Sequence, residues 1–356
     1  MKRRNFLKYS LAGAGALMTG PLSLSSCAHG RGKVPMPSWT WYTAGEKRDD
    51  LAHDLKMLKR HGFEGVHLQG EGETLVYAAD LAHRLGLKIH NWLVTLMTRD
   101  EKVLKEHPDW FVVSREGKSS LEYPPYVNYY KWLCPNREEV AVYLEKKVEE
   151  IVSVPALDGL HLDYIRFPDV ILPVGLWKKY NLVQDRELPQ YDFCYCDVCR
   201  SRFAAQHGVD PLELPDPPAD GAWRQFRYDS ITRLVERLGK VVRRHDKQLS
   251  AAVFPTPSIA RRLVRQEWDR WPLDAVFPMI YHNFYNEKID WVEEAVREGE
   301  EALKGRFPLY AGIFIPSIAP EEMTAAVRYI AKGGGDGLCL FNYRSMTEKH
   351  WKHFLV

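Results

Sequence analysis

The chain has 356 residues, of which 45% are hydrophobic, 27% charged and 12% aromatic. That composition is globular and excludes a fibre, a disordered chain and a polytopic membrane protein. The formal net charge is +2, but four of the 49 basic residues (Lys2, Arg3, Arg4 and Lys8) stand in the first 26 positions, leaving 45 against 47 acidic residues, so the rest of the chain has no basic surplus to attract nucleic acid or anionic lipid.

In chain order, Lys2-Arg3-Arg4-Asn5-Phe6-Leu7-Lys8 comes first and resembles a bacterial twin-arginine export signal. The apolar run Leu11–Met18 that follows is too short for a membrane span. Leu24-Ser25-Ser26-Cys27 then resembles a lipobox, in which the cysteine is acylated and becomes the first mature residue. Residues 1–27 are therefore expected to be a lipoprotein signal peptide with Cys27 as the lipidation site, 28–37 a tether, and 38–356 the folded domain. This implies a lipid-anchored protein of the bacterial cell envelope, on the periplasmic or extracellular face; separately, a monomer is expected. An ordinary N-terminal helix is the alternative reading of the same residues.

Eight short runs rich in β-branched and aromatic residues follow: 39–44, 63–69, 88–96, 157–167, 249–254, 275–281, 309–315 and 337–343. Helical patterns lie between most of them, beginning with Leu51, Leu55 and Leu58 at i, i+4, i+7 and continuing at 75–85, 137–152, 223–245, 289–303 and 321–332. Strand and helix alternating in this way predict an α/β chain folded as a (β/α)8 TIM barrel. An open doubly wound sheet is the alternative, but Ala44-Gly45-Glu46-Lys47 after the first strand is no phosphate-binding loop. Residues 97–136 and 168–222 are far longer than ordinary connections and leave the carboxyl ends of strands three and four, which places both on the active face.

Cys194-Tyr195-Cys196-Asp197-Val198-Cys199 packs three thiols into six residues. Disulfides among three such cysteines leave one over, whereas a thiolate-bound zinc accommodates all three with a fourth ligand, for which Cys134 in the other long loop is the candidate. The pattern is similar to the zinc cluster of glycoside hydrolase family 42 β-galactosidases, in which a cysteine of the third βα loop joins a CxCxxC of the fourth. One or two envelope disulfides are the alternative, and Cys339, in an apolar run, reads as a core residue.

In Asp158-Gly159-Leu160-His161-Leu162-Asp163-Tyr164-Ile165-Arg166-Phe167-Pro168, alternation turns His161, Asp163 and Ile165 to the barrel axis and leaves Asp163 at the rim of the active face. A carboxylate there is either used or paired, and Arg166 is the nearby cation. This stretch, with Trp132-Leu133-Cys134-Pro135-Asn136, Trp223–Arg227, Gln266–Trp271 and Phe277-Pro278-Met279-Ile280-Tyr281, resembles the family-10-like glycosyl hydrolases of bacterial lipoproteins. It is also similar to the nucleophile strand of the α-amylase clan, with His161 where that clan carries arginine. Two departures stand out: Cys134 occupies a position where the lipoprotein family usually has aspartate, and the Asn-Glu that supplies the acid in family 42 is missing after strand four.

The resemblance implies a glycoside hydrolase acting on an extracytoplasmic poly- or oligosaccharide, with a structural zinc and no catalytic cofactor. Such chemistry usually takes two carboxylates. Asp163 is the first, expected to stay ionised through Arg166 and His161 while its partner acts as the acid. Its partner is sought among Glu71, flanked by glycines after strand two, Glu267, after strand five, and Asp290, which starts a helix and reads as a cap. Trp41, Trp92, Tyr281, His282 and Asn342, with His161 and Arg166, are the expected sugar-binding residues, because sugars need flat apolar platforms and polar groups for their hydroxyls. Two alternatives of other classes remain: a carbohydrate-binding barrel that has lost one carboxylate, and a metal-dependent isomerase or hydrolase using His67, His90, His161 and His282.

Overall fold

The computed structural model describes residues 33–44 and 48–355. The expected export signal and Cys27 lie outside them, as do positions 45–47. Eight parallel strands are hydrogen-bonded in the order β6-β5-β4-β3-β2-β1-β8-β7. They are β1 (Ser38–Thr43), β2 (Gly65–Gln69), β3 (Lys88–Val94), β4 (Gly159–Asp163), β5 (Gln248–Val253), β6 (Ala275–Pro278), β7 (Tyr310–Phe314) and β8 (Gly337–Phe341). Bridges Val276↔Leu309 and Met279↔Gly312 join β6 to β7 and close the barrel.

The helices are α1 (Arg48–Arg60), α2 (Gly72–Leu85), α3 (Glu101–Glu106), α4 (Glu138–Val152), α5 (Asp197–His207), α6 (Gly221–Arg244), α7 (Pro257–Val264), α8 (Trp291–Leu303), α9 (Met323–Gly333) and α10 (Glu348–Phe354). All but α3 and α5 follow a strand as its barrel helix, while α3 and α5 belong to the two long loops. The fold is a (β/α)8 barrel, as the alternation predicts.

Local chemistry explains the elements. In α1, Leu51, Leu55 and Leu58 form the buried stripe, Asp49 and Asp50 open the helix and Lys59 and Arg60 close it, which suits the helix dipole. Asp220 caps α6 by accepting the Trp223 N–H at 2.7 Å. Aspartates preceding even-numbered strands tie the barrel together: Asp158 accepts the Ile89 N–H at 2.8 Å, Asp274 that of Leu249 at 2.8 Å, and Asp336 that of Leu309 at 3.0 Å. Part of the expected tether also packs on the barrel, since Val34 donates its N–H to the His61 carbonyl at 2.9 Å and Val34 and Met36 lie against the core.

The barrel interior is unusual in its filling. Trp39, Trp41, Ala252, Phe277 and Cys339 form its apolar core, and the tryptophans fit because Gly65 and Gly312 face them, where a Cβ would come within 2.6 and 2.8 Å of an indole. Among these rings lie three buried histidines. His67 stacks on His161 with ring centroids 3.6 Å apart and on Trp39 at 4.7 Å, and His90 lies 5.6 Å from His67. Trp41 Nε1 donates to His161 Nε2 at 2.9 Å, which puts the His161 proton on Nδ1, 2.9 Å from Ser250 Oγ. Ser250 Oγ also meets His90 Nδ1 at 2.9 Å. Among the described residues no partner reaches either nitrogen of His67.

Burial drives all three histidines to the neutral form, His90 to a pKa of about 4 and the other two well below the ordinary 6.5. The unfolded chain takes up protons on them from about pH 6.5 downwards and the folded chain does not. Their effect on stability is therefore nil above that pH and increasingly unfavourable below it. Urea unfolding should show stability falling between about pH 6.5 and 4, by up to about 1.4 kcal/mol per pH unit for each histidine. His67→Phe should flatten that slope, and an unchanged slope in this variant contradicts the assignment.

Candidate active site and cysteine cluster

At the carboxyl ends of the strands lies a cavity of about 840 Å³. Its floor and walls bring together Trp92 from β3, Asp163 and Tyr164 from the end of β4, Tyr281 after β6, Phe314 from β7 and Phe341 from β8, with Tyr126, Tyr129, Tyr130, Arg166 and Asp169 from the long loops. Asp163 is only 7% exposed. Its Oδ2 accepts the Trp92 indole N–H at 2.8 Å and its Oδ1 the backbone N–H of Tyr164 at 2.6 Å. The second bond depends on a sharp turn, because Tyr164 has φ 52, a left-handed conformation that a bulky residue adopts only where its surroundings enforce it. Burial raises the Asp163 carboxyl above the usual range, against the pull of the two N–H donors and the more distant Arg166 charge.

Several expected residues stand elsewhere. Arg166 does not pair with Asp163: its Nη1 donates to Asp169 Oδ2 at 3.0 Å. Nor does His161 support that carboxylate, because it is fully buried in the histidine stack below. Asp163 thus has neither expected partner, and the direction of its shift is opposite to that expected for an ionised carboxylate. Trp41 is 2% exposed and bonded to His161, away from the cavity. His282, 8% exposed, and Asn342, whose side chain accepts from Ser345 at 3.4 Å, are also absent from the lining.

Glu267 is withdrawn as well. It follows α7, a helix the sequence pattern did not reveal, and its carboxylate takes bonds from Arg261 at 3.1 Å and Gln225 at 3.2 Å and pairs with Arg270 at 3.5 Å. Asp290 stands at the N-cap position of α8 without a side-chain cap bond. Glu71 does line the cavity, solvent-exposed at the start of α2. The cavity therefore gathers Asp163, Glu71, Arg166, Trp92 and Tyr281 from the expected set. The residues missed come mainly from loop segments with no periodicity, although the density of tyrosine between Tyr123 and Tyr130 was a readable signal.

The four cysteines of the long loops meet. Cys134, Cys194, Cys196 and Cys199 are buried and unbridged, and their sulfurs lie within 4.8 Å of one another. Cys134 Sγ is 3.4 Å from Cys199, 3.6 Å from Cys196 and 3.8 Å from Cys194. Sulfurs around a tetrahedral ion at about 2.3 Å stand ~3.8 Å apart, so the donor set fits a thiolate-bound metal ion. Cys196 is the N-cap of α5 and Cys199 stands in its first turn, where backbone N–H groups favour thiolates. Asn136 adds an N–H to Cys199 Sγ at 3.2 Å and is itself anchored on Ser230 at 2.9 Å. Cys339 is buried in the barrel interior, as expected.

No protein-family model matches the sequence, and no curated protein does. Solved structures do. The β-galactosidase of the psychrophilic Marinomonas ef1 superposes with a TM-score of 0.61 at 12% identity, over 86% of this chain and 54% of its own. Gan42B, a GH42 β-galactosidase of G. stearothermophilus, gives 0.63 at 11% identity, over 92% and 56%. A chitinase of Chromobacterium violaceum gives 0.50 at 7% identity, over 90% and 98%. The chain spans about half the length of the β-galactosidases it matches, and identities this low establish a shared fold with glycosyl hydrolases and no more.

The folded chain should carry one divalent metal ion on the four thiolates, measurable by elemental analysis. Cys196→Ser or prolonged chelation should remove the ion and lower the melting temperature by roughly 5 °C or more. Mass spectrometry that finds these cysteines oxidised in pairs contradicts the site.

Proposed function

We propose that the protein is a glycoside hydrolase acting on an extracytoplasmic poly- or oligosaccharide, with Asp163 as its general acid. The observation that carries this reading is a buried carboxyl, raised above its usual range, at the mouth of the barrel beside flat aromatic walls. A protonated carboxylic acid aimed into such a cavity is what cleavage of a glycosidic bond requires on the leaving-group side. Glu71, the one exposed carboxylate among the expected partners that reaches the cavity, is assigned as base or nucleophile. Trp92 and Tyr281 supply stacking surface for the sugar rings. The barrels of β-galactosidases and a chitinase support the same class of reaction at the level of fold.

The ion on the four cysteines is assigned as zinc, because four thiolates in a closed tetrahedral set suit that metal and leave no open position for chemistry. Its role is then structural. At the N-terminus, the twin-arginine motif and lipobox support export and anchoring through lipid on Cys27. Among the described residues no helix is long and apolar enough to cross a membrane.

The withdrawal of Glu267 into ion pairs favours one other reading: a barrel that binds carbohydrate without cleaving it. Turnover decides between them. Asp163→Asn should reduce cleavage of oligosaccharides about 10²–10⁴-fold and spare glycosides whose leaving group needs no protonation, such as 2,4-dinitrophenyl glycosides. In the unmutated chain, activity should fall as pH rises through the raised Asp163 value, because the acid is lost on deprotonation. Sugar binding with no turnover on any glycan, unaffected by Asp163→Asn, supports the binding module instead. Separately, Cys27→Ser should release a soluble envelope protein, and persistent anchoring of that variant contradicts the lipoprotein assignment.

A further inference from the structure

Asp169 was not marked by any sequence pattern, yet it lies in the cavity wall 3% exposed. Its Oδ2 is held by Arg166 Nη1 at 3.0 Å. Arg166 in turn is fixed from every side. Its guanidinium lies over the rings of Trp132, Tyr164 and Phe254 at 4.8, 5.3 and 4.9 Å, Nη2 donates to the Tyr130 hydroxyl at 3.1 Å and Nη1 to the Phe167 carbonyl at 3.0 Å. The Asp169 backbone is held too, its carbonyl accepting the Tyr126 hydroxyl at 2.8 Å. Among the described residues no donor reaches Asp169 Oδ1.

A nearly buried carboxylate in a cavity wall, with one oxygen locked and the other unbonded, loses hydration without regaining hydrogen bonds, at a cost that a ligand's donors can remove. The chemistry of the site limits what that ligand can be. A cationic group here meets the buried Arg166, whose charge already neutralises Asp169. A carboxylate or sulfate meets Asp169 itself. A neutral hydroxyl suffers neither repulsion and gains a charge-assisted bond, and the adjoining tyrosines offer faces for the ring that bears it.

We propose that Asp169 is a specificity-determining residue of the candidate site, its Oδ1 accepting a hydroxyl of a neutral sugar ring, with Arg166 as the residue that positions it. The proposal rests on the reading of the cavity as a carbohydrate site and adds the residue and the subsite chemistry.

The test measures binding without turnover. The Asp163→Asn chain is titrated calorimetrically with cellotetraose, chitotetraose and β-1,4-galactotetraose, and the tightest of the three is then followed through its mono-deoxy analogues. Adding Asp169→Asn should weaken that ligand about 10–100-fold, and the effect should vanish for the one deoxy analogue that lacks the contacted hydroxyl. On the Asp163→Asn chain with Asp169 intact, that same analogue should show the largest penalty, a readout that leaves the ion pair untouched. Equal affinity with and without Asp169, a loss shared equally by every deoxy analogue, or no binding of any of the three probes overturns the proposal. Hydrolysis by the unmutated chain alongside any of those results leaves the glycosidase reading standing. An Asp169-dependent affinity with no hydrolysis supports this proposal and removes that reading.

Discussion

Segments 97–136 and 168–222 can wall a cavity only if they are tied to each other. Left free, chains of that length cost more entropy to order than their own surfaces repay. The tie is concentrated in one place. Cys134 comes from the first segment and Cys194, Cys196 and Cys199 from the second, and their sulfurs converge within 4.8 Å. Immediately before them Asp192 is fully buried between Arg227, on α6, and Arg115, at 3.5 Å. Asn136 reaches from the first segment to Cys199 and Ser230. The cluster thus joins both loops to a barrel helix. Farther out, Tyr126 stacks on Tyr191 at 4.4 Å and bonds Gln184 at 3.1 Å, continuing the seam toward the cavity. Tyr126, Tyr130 and Asp169 hold their places in the wall because this seam exists, so the cluster bears on the site through shape rather than through chemistry.

The barrel beneath is a second rigid platform, built in an unexpected way. Where such interiors are usually filled by branched aliphatic side chains, this one uses tryptophan, histidine and phenylalanine, with glycine opposite the largest rings. Burying three imidazoles is tolerable because they remain neutral and because Trp41 and Ser250 satisfy three of their six ring nitrogens. The stack fills the space directly below Asp163 with neutral rings, and neutral rings give that carboxyl no charge to pair with.

Alternation and helical spacing made the barrel legible in the sequence, since each predicted run overlaps a strand. They also placed Asp163 correctly, because a strand's two-residue period fixes which side chains reach the axis. What they could not give was that His161 lies wholly below the rim, out of the cavity lining. His161 and Asp163 share one inward face, but two residues separate a core position from a rim position, and the sequence offers no mark of where the strand ends. The break is Tyr164, whose left-handed conformation ends β4 within a run that reads as continuous to Phe167. Glu267 was misplaced for a related reason: α7 is only eight residues long and begins at Pro257, so it reads as loop. The cysteine cluster was readable because ligand spacing is short-range, whereas the tyrosine wall depends on the contact of two loops far apart in sequence.

The partner of Arg166 decides the character of the site. Sequence proximity offers it both Asp163, three residues before, and Asp169, three after, and it can satisfy only one closely. Trp132, Tyr164 and Phe254 surround its guanidinium and orient it toward Asp169. From that orientation the two carboxyl groups acquire different chemistry. Asp169 becomes an ion-paired carboxylate, an acceptor toward the cavity. Asp163 is left with two neutral N–H donors in a buried place, and burial prevails. Divergent environments for nearby carboxyl groups are how one site separates an acid from an acceptor. Here the divergence is set by three aromatic rings packed around one guanidinium.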